Sequence, residues 1–186
     1  MKASLIMLSN FLKNPKQTGA VAQSSKFLTK EMINKAELNK SKFIVELGPG
    51  IGTFTGQILK KAKPDAKAVC FEVNKKFCSY LDKNFDDKRL IVINGRADKI
   101  RINLKKLGIK KADCIISGLP FRNFSHEMKE RIIQEVKNSL SDNGRFILFQ
   151  YTTSMNDMLK KHFDKVNRKF VLLNMPPAFV YTCTNH

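Results

Sequence analysis

Short apolar runs alternate with longer amphipathic stretches along the chain from about residue 43. Five of these runs have the length and the β-branched or aromatic content of strands: residues 43–47, 67–72, 90–94, 112–117 and 145–151. Segments with helical spacing of their apolar residues, near 52–62, 75–85 and 126–140, lie between them. This alternation predicts a parallel sheet with helices on both faces.

The last two apolar runs, residues 168–173 and 178–183, are separated only by "NMPP". Four residues are too few for a helical crossover, so this pair is predicted to be antiparallel. The predicted fold is an α/β, Rossmann-like, doubly wound sheet of seven strands, mostly parallel with an antiparallel C-terminal hairpin. Ser125 is a predicted N-cap, and residues 141–144 are a predicted turn before the fifth strand.

Charge is the unusual feature of the composition. Thirty-four Lys and Arg against sixteen Asp and Glu give a net charge of +18, which attracts polyanions such as nucleic acid or an anionic bilayer. The longest apolar runs are too short for a membrane-spanning helix. The four cysteines lack the spacing of a zinc site, so we expect reduced, buried thiols in a cytoplasmic protein and no metal.

A glycine-rich loop follows the first predicted strand, where a doubly wound sheet binds its ligand. Gly48, Gly50 and Gly52 leave backbone bare for a ligand to approach. The spacing G-x-G-x-G differs from the dinucleotide fingerprint, and the carboxylate of Glu46 would repel a pyrophosphate. Glu72 ends the second strand about twenty residues later, where a carboxylate can accept both ribose hydroxyls. S-adenosylmethionine, a nucleoside with an ammonium and a sulfonium, fits this combination.

Two further segments carry candidate chemistry. Asp98, four residues after the third strand, can contact the adenine amine or cap a helix near 99–106, and the sequence leaves both readings open. "SGLPF", residues 117–121, ends the fourth strand beside the glycine loop. Its Gly118 and Pro120 would bend the chain so that Ser117 and the Leu119 carbonyl face a nucleophile, and Phe121 would offer its ring to a base or an alkylated ammonium.

These motifs resemble the S-adenosylmethionine-dependent methyltransferases, and within them the bacterial phospholipid N-methyltransferases that act on phosphatidylethanolamine. The similarity covers nearly the whole chain and rests on residues 14–25, 45–55, 71–74, 117–121, 149–152 and 174–181. The cofactor-binding residues implied by the resemblance are Gly19, Ala20, Glu46, Gly48, Gly50, Gly52, Glu72, Val73, Ala97, Asp98 and Ser117. The catalytic residues implied are Ser117, Leu119 and Tyr151, with Gly118, Pro120, Phe121 and Tyr151 around the acceptor.

A weaker resemblance links the chain to the rRNA adenine dimethyltransferases, whose motif is Asn-Leu-Pro followed by an aromatic residue. Ser117 replaces the asparagine, and no helical C-terminal domain is expected after residue 186. Methylation of phosphatidylethanolamine is therefore the leading expectation; rRNA adenine and another small amine are the alternatives. Tyr151, Tyr181, His126 or a water can take the proton of the amine. His126 is expected mainly at the surface, as are His162 and His186.

Residues 1–42 carry eight lysines against two glutamates. Leu5, Leu8 and Phe11 share a broad apolar face with Met7 and Leu12, and Pro15 would end this helix. Such a helix can lie in a bilayer interface or pack on the domain, and both readings stay open. We divide the chain into an amphipathic, cofactor-covering helical segment (1–42) and a cofactor-binding methyltransferase domain (43–186), and expect a cytoplasmic, peripherally membrane-associated protein.

Overall fold

A computed structural model describes residues 19–185, with side chains from residue 26 onward. Its strands are β1 Phe43–Leu47, β2 Lys67–Glu72, β3 Leu90–Asn94, β4 Ala112–Ser117, β5 Leu140–Gln150, β6 Lys165–Val171 and β7 Ala178–Thr184. Its helices are α1 Gly19–Lys35, α2 Thr53–Lys61, α3 Lys75–Asn84, α4 Ile100–Lys106, α5 His126–Ser139 and α6 Asn156–His162. Short 3-10 turns span Leu38–Lys40, Ala97–Lys99 and Phe121–Asn123.

The seven strands form one sheet in the order β3-β2-β1-β4-β5-β7-β6. Strands β1 to β5 are parallel, and β7 runs antiparallel to both β5 and β6. The predicted doubly wound sheet with an antiparallel C-terminal hairpin is confirmed. Because the strand order reverses between β1 and β4, the carboxyl ends of these two strands form the crevice in which this class of sheet binds ligands.

Two apolar cores cover the two faces of the sheet. Alternation along β1 sends Val45 and Leu47 to one face and Ile44 to the other, all fully buried. Helix α1 contributes Leu28 and Met32 to the second core. The four cysteines are buried, as predicted.

Several boundaries differ from the predictions. Strand β5 begins at Leu140, and the segment predicted as a turn, 141–144, belongs to this strand, whose pairing with β4 shifts register between Ala112 and Cys114. Strand β6 spans Lys165–Val171 rather than 168–173, so Leu172 and Leu173 lie in the loop that follows. Helix α6 was not predicted. Ser125 is the N-cap of α5, as predicted, and its hydroxyl accepts from the Met128 amide at 3.2 Å.

The part of the chain from residue 19 to 185 contains no helix that is both long and apolar enough to span a bilayer.

Candidate functional site: the carboxyl edge of β1, β2 and β4

The three glycines of the loop after β1 have positive φ angles, 70° at Gly48, 56° at Gly50 and 86° at Gly52. A side chain is unfavourable at each position because L residues rarely adopt this conformation. A Cβ at Gly48 would lie 2.9 Å from Leu119, and one at Gly52 would overlap the Phe85 ring. A Cβ at Gly50 would meet no atom within 4 Å. The outer glycines therefore permit close packing, whereas Gly50 faces open space.

Glu72 joins the end of β2 to this loop. Its carboxylate accepts from the Gly50 amide at 3.2 Å and from the Asn74 amide at 2.9 Å. The side chain is 7% exposed, and the next residue, Val73, is 67% exposed. The structure thus brings together three of the predicted cofactor residues: a bare glycine, a carboxylate at hydrogen-bond distance from it and an apolar side chain that is open to a flat ring.

Glu46 lies beneath the loop rather than in the crevice. It is 1% exposed, and its Oε2 accepts from Thr55 Oγ1 at 2.6 Å and from Cys70 Sγ at 3.4 Å. Its Oε1 has no hydrogen-bond partner among residues 19–185. Burial, together with the nearby Glu72, raises the pKa of Glu46 to about 7, against the hydrogen bonds that lower it. Glu46 is therefore enclosed below the crevice, and its role toward a cationic ligand stays a prediction.

Asp98 forms a bidentate ion pair with Arg96. The guanidinium donates to the two carboxylate oxygens at 2.8 and 2.9 Å, which lowers the pKa of Asp98. The alternative role as a helix cap is wrong, because Lys99 is the N-cap of helix α4 and the Arg101 amide in its first turn donates to Glu135 at 3.1 Å rather than to Asp98. Ala97, beside Asp98, is partly exposed. Contact between Asp98 and adenine stays a prediction, and the involvement of Arg96 was not predicted.

The loop after β4 is fastened to the glycine loop. The Gly118 amide donates to the Leu47 carbonyl at 2.9 Å, and a Cβ at Gly118 would lie 3.0 Å from the Gly48 carbonyl oxygen. Ser117 is fully buried, and its hydroxyl accepts from the Leu119 amide at 3.2 Å. Ser117 therefore stabilises the conformation of this loop. The expectation that its side chain faces the crevice is wrong for this structure.

The Leu119 carbonyl is held from the neighbouring strand. Gln150, at the end of β5, is 6% exposed and donates from Nε2 to this carbonyl at 3.2 Å. A carbonyl oxygen has a second lone pair, so Leu119 keeps acceptor capacity for a substrate. Gln150 was not predicted, although a polar residue at the end of a buried strand is a usable signal.

Phe121 does not offer its ring to a substrate. It is fully buried in the core and makes an edge contact with Phe124, with ring centroids 5.9 Å apart. The turn after the exposed Pro120 directs the ring inward, so the expected stacking role is wrong for this structure.

The candidate proton acceptors lie in different environments. Tyr151 is 51% exposed at the crevice end of β5 and makes an edge contact with Phe149. Tyr181 is fully buried in the core. His126 is at the surface, as expected, but the surface assignment of His162 is wrong: its side chain is 11% exposed and its Nε2 lies 2.6 Å from Glu130.

Some predicted residues lie outside the described part of the chain. These are the amphipathic helix within residues 1–18 and His186. Gly19 and Ala20 begin helix α1, but their contacts are not described. Within residues 19–185, no three His, Cys, Asp or Glu side chains are grouped to hold a metal ion.

The arrangement fits a nucleoside cofactor. Gly50 opens onto free space, the Glu72 carboxylate is within reach of a ribose, and Val73 supplies apolar surface for a base. When bound, S-adenosylmethionine would supply an activated methyl group. This site, at the carboxyl edge of a seven-stranded sheet with an antiparallel last strand, defines the class as a Rossmann-like S-adenosylmethionine-dependent methyltransferase.

Comparison with known proteins places the chain within this class. Residues 9–169 match the family model described as ribosomal RNA adenine dimethylase, and the chain belongs to that family. It is an N-methyltransferase, and S-adenosylmethionine is its methyl donor.

Relatives in this comparison act on different acceptors. The chain is 28% identical to an ornithine lipid N-methyltransferase of Singulisphaera acidiphila over 98% of this chain and 96% of that protein. It is 29% identical to the ribosomal RNA small subunit methyltransferase A of Mesomycoplasma hyopneumoniae, over 88% of this chain but 59% of that protein.

Solved structures share the fold. The 1,6-didemethyltoxoflavin-N1-methyltransferase of Burkholderia thailandensis, with bound S-adenosylhomocysteine, superimposes with a TM-score of 0.70 at 12% identity, over 97% of this chain and 86% of that one. A precorrin-6y C5,15-methyltransferase of Geobacter metallireducens gives a TM-score of 0.70 at 18% identity, over 86% and 88%.

Proposed function

We propose that this protein methylates the head-group amine of a membrane lipid, with phosphatidylethanolamine as the first acceptor to test. The observation that carries the proposal is the similarity to a lipid N-methyltransferase over 98% of this chain and 96% of the relative. Because that relative is named for ornithine lipid, an amine on ornithine lipid is the second acceptor to test. We also propose that the protein works at the membrane surface, where this substrate is found.

The crevice provides groups that can position an amine. Methyl transfer requires the nitrogen lone pair to point along the bond that breaks, so orientation supplies much of the rate. The Leu119 carbonyl, fixed by Gln150, can accept a hydrogen bond from an amine N–H. This contact would hold the nitrogen without using its lone pair.

Tyr151 is better suited to orienting the head group than to removing its proton. Partial burial raises the pKa of Tyr151 above its usual value, despite the opposing effect of Asn174. At neutral pH the side chain is therefore a phenol that donates a hydrogen bond, for example to a lipid phosphate. The amine proton would then leave to water at the open side of the crevice.

A labelling experiment tests the acceptor. The full chain is incubated with radiolabelled S-adenosylmethionine and, in separate reactions, with phosphatidylethanolamine vesicles, ornithine lipid vesicles or unmodified ribosomal RNA. We expect label in a lipid fraction and none in the RNA. Label in RNA alone would contradict the proposal. A Glu72→Gln variant is the control for transfer that depends on the cofactor site.

The second candidate is methylation of an adenine amine in ribosomal RNA. The match to the ribosomal RNA adenine dimethylase model favours it. Two observations weigh against it: Ser117 stands where those enzymes are expected to carry asparagine, and the buried Phe121 has no exposed face on which a base could stack. The RNA reaction of the same experiment distinguishes the two functions.

A further inference from the structure

The loop between β6 and β7, residues 172–177, exposes a cluster of apolar side chains. Leu172 is 68% exposed, Leu173 64% and Met175 83%. Single exposed apolar residues are common on protein surfaces, but three within four positions form a patch of the kind that marks a contact with a partner or a membrane.

This β6–β7 loop lies at the same edge of the sheet as the cofactor crevice. Strand β7 is antiparallel to β5 with Gln150 opposite Phe179, so the start of β7 and the end of β5 meet at one edge. Tyr151 follows β5 directly at this edge. The loop is therefore beside the place where the acceptor must enter.

The loop is anchored from inside while its apolar residues point outward. Asn174 is 6% exposed, and its Nδ2 donates to the Pro176 carbonyl at 2.6 Å. Asn174 is also close enough to the Tyr151 phenol to lower its pKa against the larger effect of burial. One polar side chain thus ties the loop to the acceptor end of the crevice, and its neighbours Leu173 and Met175 remain free to contact a partner.

The strand that leads into the apolar patch is basic. Strand β6 is the edge strand of the sheet, and its sequence KVNRKFV contains three cationic residues and no acidic one. The Arg168 guanidinium lies 5.1 Å from the centre of the Phe179 ring, and Lys169 pairs with Glu31 of α1 at 2.7 Å. One helical turn before Glu31, Phe27 is 51% exposed between the exposed residues Lys26 and Lys30. Apolar side chains bordered by cations suit the interface of an anionic bilayer.

We propose that the β6–β7 loop inserts Leu172, Leu173 and Met175 into the head-group region of an anionic bilayer and so brings the crevice to the lipid amine. This inference rests on the proposed lipid acceptor. It assigns membrane contact to a segment of the folded domain, separate from the amphipathic helix expected within residues 1–13.

Insertion can be measured directly because the chain contains no tryptophan. Leu173→Trp places one fluorophore in the loop of the full-length protein, and Ile102→Trp places one at a 56% exposed apolar position on α4. With vesicles of phosphatidylglycerol and phosphatidylethanolamine, we expect a blue shift and quenching by brominated acyl chains for Leu173→Trp only. Equal behaviour of the two variants, or no change in either, would overturn the proposal.

A binding measurement complements the fluorescence. The double substitution Leu172→Ser and Leu173→Ser should lower vesicle partitioning by at least about tenfold, as expected for losing the burial of two leucines. Ile102→Ser should leave partitioning unchanged. The affinity of the double variant for S-adenosylmethionine, measured by calorimetry, should equal that of the wild type, which would show that the double variant is folded. Insertion would be refuted if the double variant partitioned onto vesicles like the wild type. It would also be refuted if the double variant lost binding to ribosomal RNA but kept binding to vesicles.

Loop insertion and lipid methylation can fail separately. Short-chain phosphatidylethanolamine, dispersed below its micelle concentration, presents the amine without a membrane surface. If the loop docks, the double variant should keep turnover on this dispersed lipid and lose it on vesicles. A wild-type protein that inserts the loop but methylates no lipid would contradict the proposed function alone.

Discussion

Two glutamates on neighbouring strands, Glu46 and Glu72, differ in their surroundings. Glu72 accepts from two backbone amides at the edge of the crevice, whereas Glu46 is enclosed and leaves one carboxylate oxygen unpaired among the described residues. A carboxylate at the edge can exchange a backbone contact for a ligand hydroxyl. An enclosed carboxylate influences the ligand only through its charge and through the loop above it.

We expect Glu72→Gln to weaken S-adenosylmethionine binding at least tenfold, because a neutral amide makes weaker hydrogen bonds to ribose than a carboxylate by about 1.5 kcal/mol or more. Isothermal titration measures the affinity. Glu127→Gln is the matched control, since that side chain is 78% exposed and, among residues 19–185, its ion pair is with Arg131 across one helical turn. Equal affinity in wild type and Glu72→Gln would remove the ribose role.

Glu46 should make the free energy of unfolding depend on pH. Its folded pKa, about 7, exceeds the ordinary value of 4.5, so the folded protein binds the proton more tightly than the unfolded chain. Stability contributed by this group is therefore present below pH 4.5 and is lost as the pH rises to about 7, by on the order of 3 kcal/mol. Urea unfolding should show that Glu46→Gln flattens this slope. A slope identical to that of the wild type would contradict the pKa.

At the scale of the element, two glycines in the turn from β1 into α2 differ in their surroundings: Gly52 is packed against a side chain, whereas Gly50 faces open space. Gly52→Ala should destabilise the fold by about 2–5 kcal/mol, because alanine is strained at the left-handed φ of this position and its Cβ would overlap the Phe85 ring. Gly50→Ala should cost only about 1–2 kcal/mol of strain, since its Cβ enters open space.

The same pair should behave in the opposite way toward the cofactor. Gly50→Ala places a methyl group where the ligand is expected, so titration of the folded variant should show reduced affinity. Denaturation and titration together separate packing from binding. A Gly50→Ala protein that binds S-adenosylmethionine like the wild type would place the ligand elsewhere in the crevice.

At the scale of the whole molecule, the net charge of +18 favours association with anionic surfaces. We expect flotation with phosphatidylglycerol vesicles to decrease as salt rises, because exposed charges are screened within about 8–10 Å at physiological ionic strength. Deletion of residues 2–13 should reduce recovery further if the predicted helix is an anchor. Equal recovery with and without these residues would refute the anchor, while leaving the β6–β7 loop to its own test.

Parts of this architecture were predictable because they depend on local sequence. Strands β1 to β4 begin and end where apolar runs meet polar residues, and the glycine loop is marked by residues that can adopt positive φ. The shortness of the "NMPP" connection was enough to predict that the last two strands are antiparallel. Helix α6 was missed because it is only seven residues long and buries little apolar surface of its own.

The sequence by itself determined the order of the strands along the chain and the class of cofactor, and it predicted the sheet edge at which we expect the cofactor to bind. Only the tertiary structure decided that Phe121 turns into the core, that Glu46 lies below the loop and that Gln150 holds the Leu119 carbonyl. It also placed the exposed Leu173 and Met175 beside Tyr151. The physical reason is that hydrophobic periodicity and turn chemistry act over a few residues, whereas burial and hydrogen-bond partners are set by segments about thirty residues apart that meet only when the sheet assembles.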